Sequence, residues 1–384
     1  MLILVINTGS SSVKYQVLDM PCETVVTCGL IEQIGGDSRI THKTFGGRII
    51  QKNIAIPDYQ GAFQELTALL KEIGRIHAIG HRVVHGGGRY DTPVLITEEV
   101  ISTIEQSLDF APLHNGPNLL GIRACTNAFG PDISQVAVFD TAFHKDMPLY
   151  ASLYPLPYEY YEKHGIRRYG FHGLSHRYAS ERCAELMGRQ DLRIIICHLG
   201  NGCSLAAIRN GISIDTTMGF TPNEGMMMGT RSGSIDPSIP AFVAEKEGIS
   251  YDEALSICNR KAGLLGVSGI SNDYRELVNS KDVRASLALE MHRYQILKAI
   301  GSYLAVMNGA DAIVFTGGIG ENVPELRQFV CAGLGYAGVV LDEDANKATN
   351  GDTLISGKDS KVAVFVISSH EERIIARDTF ELLQ

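Results

Sequence analysis

Alternation of apolar and polar residues predicts that the chain begins with two strands joined by a bend. The apolar run at residues 3–6 leads to Asn7, and a bend with Gly9 and three serines follows. Residues 13–17 then alternate between apolar and polar side chains, which is the period of two expected of a half-buried strand. We therefore expect a strand–turn–strand opening in which a glycine, hydroxyl groups and Lys14 lie around one bend.

The hydrophobic pattern continues through a complete lobe of about 140 residues. Turn residues separate several short strand-like segments, and stretches with helical spacing then alternate with compact apolar runs. The predicted strands lie at 23–31, 39–44, 48–54, 78–84 and 135–139, and the predicted helices lie at 59–73, 98–107 and 115–129. The order is a strand meander followed by αβαβ.

The pattern of the opening returns in the second half of the chain. An apolar run at 193–198, a glycine turn at 199–202 and another strand at 203–208 repeat the strand–bend–strand order, which indicates an internal duplication. The other predicted elements are helices at 174–187, 283–306 and 371–384, strands at 312–315 and 362–367, a crossover rich in Pro and Tyr at 150–161, and a glycine loop at 317–322.

Two facing lobes of this kind resemble the actin-like ATPases, whose lobes are ribonuclease H-like. We therefore predict an α/β fold of two duplicated actin-like lobes, with the active site in the cleft between them. The first lobe would span residues 1–145 and be completed by a C-terminal helix at 372–384. The second lobe would span 146–371 and bind the nucleotide.

Composition narrows the possible functions. The 384 residues are 45% hydrophobic, and a net charge of −9 with a pI near 5.7 argues against binding to nucleic acid or to an anionic membrane, since both need a basic face. The first residues lack the features of a signal peptide, and no apolar run approaches the ~20 residues that span a bilayer. Eight cysteines without a CxxC pair predict free thiols in a reducing cytoplasm.

Glycine loops follow three apolar strands, at 9–12, 200–202 and 317–322. A tight hairpin or a closely packed helix explains one such loop equally well. Three loops, two of them related by the duplication, favour nucleotide binding. The serines and Lys14 beside the first loop would offer hydroxyl and ammonium donors to phosphate oxygens.

Five charged or titratable residues could serve either chemistry or structure. Arg82 lies at the end of the predicted strand at 78–84. Arg231, in a loop of small residues, could be a solvated charge, or it could bind a transferring phosphoryl group, which suits the planar guanidinium. His114 and His172 could be satisfied structural histidines. Asp140 ends a predicted strand, at the edge where open α/β sheets bind their ligands.

Eight motifs, in order along nearly the whole chain, resemble those of the acetate kinase family, the acetokinases. The motifs are Asn-Thr-Gly-Ser-Ser-Ser-Val-Lys at 7–14, Gly-His-Arg-Val-Val-His-Gly-Gly at 80–87, Pro-Leu-His-Asn at 112–115, Phe-Asp-Thr-Ala-Phe-His at 139–144, Arg-Tyr-Gly-Phe-His-Gly-Leu-Ser-His at 168–176, His-Leu-Gly-Asn-Gly at 198–202, Met-Gly-Thr-Arg-Ser-Gly at 228–233 and Gly-Gly-Ile-Gly-Glu-Asn at 317–322.

The resemblance implies roles for individual residues. Catalytic roles fall to Asp140, His172, Arg231, Arg82 and His114. Substrate binding falls to Arg82 for the carboxylate and to an apolar pocket of Val84, Leu113, Phe171 and Pro222. Phosphate and nucleotide binding falls to Ser10, Ser12, Lys14, His198, Leu199, Gly200, Asn201, Gly202, Asp273, Tyr274, Arg275, Gly318, Ile319, Gly320, Glu321 and Asn322. Metal binding falls to Asn7 and Glu371.

The chemistry of a carboxylate kinase agrees with these residue types. A carboxylate with a pKa of about 4–5 is already ionised at neutral pH, so the nucleophile needs no general base. The loose transition state of phosphoryl transfer needs alignment and neutralisation of charge, which arginines, histidine, Mg²⁺ and amides supply. Asp140 is therefore interpreted as an orienting acid. Gly88 and Asn223 depart from the family pattern near the substrate pocket, which keeps propionate open as a substrate.

The sequence thus predicts an enzyme that transfers the γ-phosphoryl group of ATP to acetate by direct in-line displacement, with Mg²⁺ or alternatively Mn²⁺ as cofactor. A kinase for propionate or another short-chain carboxylate is the alternative within this class, and an actin- or chaperone-like ATPase switch is the alternative from another class. The family resemblance also implies a homodimer in the cytoplasm.

Overall fold

The structure of the protein, a computed structural model, describes residues 1–44, 46–108 and 115–384. The chain forms two compact units. The first unit comprises Met1–Ala142 and His370–Gln384, and the second comprises Phe143–Ser369. The C-terminal helix therefore belongs to the unit that contains the N-terminus.

The strands of the described residues form one sheet in each unit. In the first unit they are β1 (Leu2–Thr8), β2 (Ser12–Asp19), β3 (Thr24–Glu32), β4 (Gly36–Thr44), β5 (Ile49–Ile56), β6 (Ala78–Val83), β7 (Val94–Leu95) and β8 (Ser134–Phe139). In the second unit they are β9 (Arg193–Leu199), β10 (Cys203–Arg209), β11 (Ile212–Thr216), β12 (Ala312–Thr316), β13 (Thr353–Leu354) and β14 (Ala363–Val366).

The helices begin and end close to the predicted positions wherever the hydrophobic pattern indicated one. They are α1 (Tyr59–Leu70), α2 (Glu98–Gln106), α3 (Asn115–Phe129), α4 (Leu149–Ser152), α5 (Tyr158–His164), α6 (Gly173–Met187), α7 (Ile239–Glu247), α8 (Tyr251–Arg260), α9 (Gly263–Ser268), α10 (Tyr274–Asn279), α11 (Val283–Met307), α12 (Gly317–Asn322), α13 (Pro324–Ala332), α14 (Glu343–Lys347) and α15 (Glu371–Leu382). In the part of the chain that the structure describes, no helix is both long and apolar enough to cross a membrane.

One prediction about local structure is wrong. The glycine loop at 317–322 is the short helix α12, which begins at Gly317 with φ of +78°, a value that glycine adopts without strain. The crossover predicted at 150–161 contains parts of the short helices α4 and α5, and Pro157 lies directly before the second.

The duplication is confirmed by the strand order of the two sheets. The first sheet has the order β5-β4-β3-β2-β1-β6-β8-β7, and the second has the order β11-β10-β9-β12-β14-β13. In each, a central strand pairs antiparallel with the next strand in sequence and parallel with a later one: β1 with β2 and β6, and β9 with β10 and β12. The first sheet extends further, by β4 and β5.

Helices cover the apolar surface of the first sheet. Side chains of α1 and α3, such as Phe63 and Cys125, pack with Leu4 and Ile6 in a buried core. Helix α15 lies against β6 at Gly80, where an added Cβ would come within 2.7 Å of Ile375. This close approach brings the N-terminus of α15, with its two glutamates, next to the ends of the central strands.

Candidate active site

Arg82 and Asp140 form a two-point ion pair at the carboxyl ends of two neighbouring parallel strands. Arg82 lies in β6 and Asp140 directly follows β8. Arg82 donates from Nε to Asp140 Oδ1 at 3.0 Å and from Nη2 to Oδ2 at 2.5 Å. The side chain of Asp140 is 1% exposed and that of Arg82 is 19% exposed. The pair therefore fixes the plane of a guanidinium that still reaches solvent.

Asn7 and Glu371 approach the same guanidinium. Asn7 Oδ1 accepts a hydrogen bond from Arg82 Nη1 at 3.3 Å, and Glu371 Oε2 lies 3.8 Å from Arg82 Nε. Asn7 comes from β1, and Glu371 is the first residue of α15. Four predicted site residues, separated widely in sequence, thus meet in the first unit.

A second ion pair flanks this cluster. Lys14 lies directly opposite Asn7 in the β1–β2 ladder, and its Nζ contacts Glu372 Oε1 in the first turn of α15. Burial would lower the pKa of Lys14, but Glu372 and Glu371 outweigh that effect and raise the pKa. Lys14 therefore carries its charge at neutral pH, close to the Arg82 cluster.

The electrostatics of the pair keep the guanidinium charged. Burial raises the pKa of Asp140, and Arg82 opposes that rise. Burial would lower the pKa of Arg82, but Asp140 and Glu371 outweigh it and raise the pKa. Among the described residues, Asp140 and Asn7 occupy three of the five N–H donors of Arg82, which leaves two for an anionic ligand.

The predicted strand–turn–strand opening is confirmed as the β1–β2 hairpin. Gly9 N donates to Ser12 O at 2.8 Å, and the Tyr59 hydroxyl donates to Gly9 O. A Cβ on Gly9 would lie 2.8 Å from Ser12 Oγ, so a larger residue there would have to displace the Ser12 hydroxyl. Ser10 is exposed and Ser12 is half-buried.

Helix α3 holds the strand ends that carry this cluster. Asn118 donates from Nδ2 to Thr8 O at 3.0 Å and accepts from Val84 N at 3.1 Å, which ties the end of β1 to the end of β6. Val84, predicted to line the substrate pocket, is 4% exposed. Leu113 and His114 lie outside the described residues, so their predicted roles stay predictions.

The second unit contains a cluster of histidines at the N-terminus of α6. His172 has φ of +56° and its ring lies against that of His198, with centroids 4.2 Å apart and ring planes tilted by 33°. Its Nδ1 lies 2.9 Å from Ser204 Oγ, and His198 Nδ1 lies 2.7 Å from Ser175 Oγ. His172 and His198 are each half-buried.

Arg231 lies beside this cluster. Its Nη1 donates to Pro222 O at 2.9 Å, and burial lowers its pKa from the ordinary arginine value. A Cβ placed on Gly202 would lie 3.3 Å from His172 Nε2 and 3.7 Å from Arg231 Nη1. The imidazole and the guanidinium therefore face the same space above Gly202. Phe171, by contrast, is only 1% exposed.

Three segments that the sequence singled out line one cavity of about 640 Å³ in the second unit. Its walls come from the β9–β10 turn, the start of α10 and the helix α12. The lining residues that were predicted are Gly200, Asn201, Asp273, Tyr274, Arg275, Gly318, Ile319 and Asn322. Asn272 and Val323 also line it and were not predicted. The volume lies within the usual range for small-molecule sites.

Other predicted nucleotide residues of the second unit do not line this cavity as the structure describes it: His198, Leu199, Gly202, Gly320 and Glu321. Glu321 Oε1 accepts from the backbone N–H groups of Gly317 at 3.1 Å and Ser369 at 3.0 Å. Glu321 thus holds the start of α12 against the segment that follows β14.

Arg327, which the sequence did not single out, supports the other end of α12. It is fully buried, and its Nη1 donates to Gly320 O at 2.8 Å and Glu321 O at 2.9 Å. Its Nε and Nη2 bind Asn346. Burial lowers the pKa of Arg327 to about 10, so the side chain remains a cation at neutral pH.

Ser204 and Glu372 also touch predicted site residues without having been assigned a role. Ser204 lies on β10 directly opposite His198 and contacts His172. A serine within an apolar strand does not by itself predict such a contact. Glu372 does carry a signal, because it directly follows Glu371 in the sequence, where the predicted strand at 362–367 gives way to a helical pattern.

The comparisons with known proteins agree over the full length of the chain. The chain is 51% identical to the acetate kinase of Caldanaerobacter subterraneus subsp. tengcongensis, with 100% of this chain and 99% of that protein covered. The crystal structure of Porphyromonas gingivalis acetate kinase is similar with a TM-score of 0.91, 43% identity and all of both chains covered. A propionate kinase from Francisella tularensis is similar with a TM-score of 0.93, 42% identity and 99% of both chains covered.

These similarities, at TM-scores of 0.91 and 0.93, confirm the predicted α/β class. Residues 2–377 match the profile of the Acetokinase family, and the chain belongs to that family.

Proposed function

We propose that this protein is an acetate kinase that converts ATP and acetate reversibly into ADP and acetyl phosphate. One carboxylate oxygen of acetate would attack the γ-phosphorus in line, and the bond from that phosphorus to the bridging oxygen of ADP would break. The observation that carries the proposal is the full-length similarity to an acetate kinase at 51% identity. The motifs within the described residues supply two polar clusters and one cavity that suit this reaction.

In the first unit, Arg82 would bind the carboxylate through its two remaining N–H donors. Asp140 would hold the guanidinium in the required plane, as an orienting acid. Acetate is already an anion at neutral pH, so no residue needs to accept a proton from it. Lys14 and the serine hydroxyls of the opening bend would meet phosphate oxygens, and Val84 would contribute to the methyl pocket.

In the second unit, His172 and Arg231 would donate to oxygens of the transferring phosphoryl group. Both face the space above Gly202, and fixed donors of this kind stabilise charge that develops in the transition state. The cavity of about 640 Å³ would take the nucleoside part of ATP. His198 would support His172 through the contact between their rings.

Mg²⁺ would be held by Asn7 and Glu371. The amide oxygen and the carboxylate are the hard donors that Mg²⁺ prefers, and both border Arg82. Within the described residues, no three His, Cys, Asp or Glu side chains form a metal-binding group. This donor set suits an ion that keeps water and phosphate among its ligands, and Mn²⁺ could take the same place. The ion would neutralise phosphate charge.

We further propose that the protein is a homodimer that works in the cytoplasm, where ATP and short carboxylates are available. The exposed aromatic side chains of the second unit, such as Phe242 and Tyr294, are candidates for a contact with a second copy. Sedimentation of the purified protein would test this, and a monomer at micromolar concentration would contradict it.

Hydroxylamine trapping of the acyl phosphate tests the main proposal. The protein would be incubated with ATP and Mg²⁺ and with acetate, propionate or butyrate in turn, and the hydroxamate measured. We expect acetate to give the highest kcat/KM, and addition of a chelator to abolish the product. A steady ATPase that ignores all three acids would overturn the proposal in favour of a nucleotide-dependent switch.

Propionate is the second candidate substrate. The similarity to a propionate kinase with a TM-score of 0.93 supports it, as do Gly88 and Asn223 near the predicted pocket. A kcat/KM for propionate above that for acetate in the same assay would favour it.

A further inference from the structure

Ser204 lies between two histidines of the second unit. Its Oγ is 2.9 Å from His172 Nδ1 and 2.8 Å from His176 Nε2, and its side chain is fully buried. His172 directly precedes α6, and His176 lies one turn later on the same face. A hydroxyl has a single proton, so it cannot donate to both rings.

The protons of the neighbouring histidines can be assigned from their partners. His144 Nε2 lies 3.1 Å from Phe171 O, and a carbonyl only accepts, so His144 carries its proton on Nε2. Its Nδ1 then accepts from Ser213 Oγ at 2.7 Å. Both ring nitrogens of His144 therefore have hydrogen-bond partners, and neither partner is Ser204.

For His176, only one tautomer gives the buried N–H group of the ring an acceptor. Burial lowers the pKa of His176 well below its ordinary value, so the ring is neutral and carries one proton. Its Nδ1 is buried and has no hydrogen-bond partner among the described residues. A buried N–H without an acceptor is rarer in proteins than an unused acceptor, so the proton belongs on Nε2, where Ser204 Oγ accepts it. The hydroxyl proton of Ser204 is then directed to His172 Nδ1.

We propose that Ser204 is a positioning residue that holds neutral His172 in the tautomer with its proton on Nε2. The inference rests on the proposed function, because it concerns the group that His172 would present to the transferring phosphoryl group. With Nδ1 accepting from Ser204, the proton of the neutral ring lies on Nε2, the atom that faces the space above Gly202 beside Arg231. His172 Nε2 is therefore a hydrogen-bond donor to a phosphoryl oxygen.

The wild-type protein provides a test that needs no activity. Long-range proton–nitrogen NMR spectra of protein labelled with ¹⁵N-histidine distinguish protonated from unprotonated ring nitrogens, and the His172 signals are assigned by their loss in His172→Gln. We expect Nε2 to be protonated and Nδ1 to be unprotonated at neutral pH. The reverse pattern overturns the inference.

Two variants extend the test to catalysis. In Ser204→Ala we expect both tautomers of His172 in the spectrum and a decrease in kcat of roughly tenfold, the size of one lost hydrogen bond, while KM for ATP and for acetate stays within about twofold. Ser204→Thr keeps the hydroxyl and should restore the single tautomer. Ser213→Ala is the matched control, because Ser213 is equally buried and binds His144 instead; it should leave the His172 signals and kcat unchanged.

The outcomes separate this inference from the proposed function. A Ser204→Ala variant with an unchanged His172 spectrum and unchanged kcat overturns the inference and leaves the acetate kinase proposal standing. A wild-type protein that makes no acyl phosphate overturns the proposed function, whereas the NMR result still decides the tautomer.

Discussion

Arg82 and Asp140, 58 positions apart in the chain, form a bidentate ion pair across two parallel strands. The pairing aligns the guanidinium plane with the carboxylate and leaves its remaining donors at the strand ends. Asn7 and Glu371 lie on the same cation. The charged groups of this cluster are therefore brought together by the ends of three strands, β1, β6 and β8, and by the first turn of α15.

Asp140→Asn should lower kcat by at least about a hundredfold, a typical loss when a preorganised electrostatic group is removed. The amide keeps the shape but carries no charge, so the guanidinium loses its two-point partner and, among the described residues, has only Glu371 as a neighbouring carboxylate within 4 Å. The Mg²⁺ concentration for half-maximal activity should rise together with the loss of kcat. Steady-state kinetics with varied Mg²⁺ measures both, and unchanged metal dependence would contradict the orienting role.

Lowering the pH should destabilise the folded protein between about pH 6.5 and pH 4. Burial lowers the pKa of His81, His85, His144 and His292 to about 4. Below pH 6.5 the unfolded chain binds protons at these rings and the folded chain does not, so the free energy of unfolding falls as the pH falls. At pH 5 each ring should cost roughly 2 kcal/mol.

Urea denaturation at pH 7 and pH 5 measures this effect. His81→Gln should reduce the difference in unfolding free energy between the two pH values, because one buried ring no longer titrates. His164→Gln is the matched control, since His164 is exposed and has no buried ring to protonate. Equal pH dependence in wild type and His81→Gln would refute the assignment to that ring.

Arg327→Met should raise KM for ATP by roughly tenfold or more, since buried charged hydrogen bonds contribute about 1.5–3 kcal/mol each. The change leaves the carbonyl groups of Gly320 and Glu321 without their donor, so the end of α12 loses its fixed place beside the cavity. KM for acetate should change little. Arg209→Met, at an exposed position of β10, is the control. Parallel increases in both KM values would point to general unfolding rather than to α12.

Gly80→Ala should reduce kcat by displacing α15. The new Cβ would meet Thr379 Oγ1 at 2.5 Å and Ile375 Cγ2 at 2.7 Å, so the helix that carries Glu371 and Glu372 has to shift. Overpacking of this kind costs about 1–3 kcal/mol in stability. The double variant with Thr379→Ala removes the closest atom and should recover part of the activity. Steady-state kinetics and thermal denaturation of both variants measure these effects. A Gly80→Ala variant with full activity would contradict the close packing of α15 against β6.

Much of the fold follows from local pattern. Alternation at 13–17, helical spacing in α1 and α3, and the repeated strand–bend–strand order depend on neighbouring residues, so periodicity alone located them. Periodicity also revealed the duplication, because the same order of local hydrophobic patterns occurs in both halves of the chain. Gly317–Asn322 is the exception: glycines suggested a loop, but packing against β9 and the contacts of Arg327 and Glu321 hold it as a helix.

By itself the sequence determined the α/β class, the two-sheet duplication, the family and the segments that line the cavity, because these depend on periodicity and on motifs readable along the chain. Only the tertiary structure decided which side chains meet: Arg82 with Asp140, Lys14 with Glu372, Arg327 with the end of α12, and Ser204 with two histidines. Such pairings join residues from different strands and helices, and their geometry depends on strand register and helix packing, which no local pattern specifies.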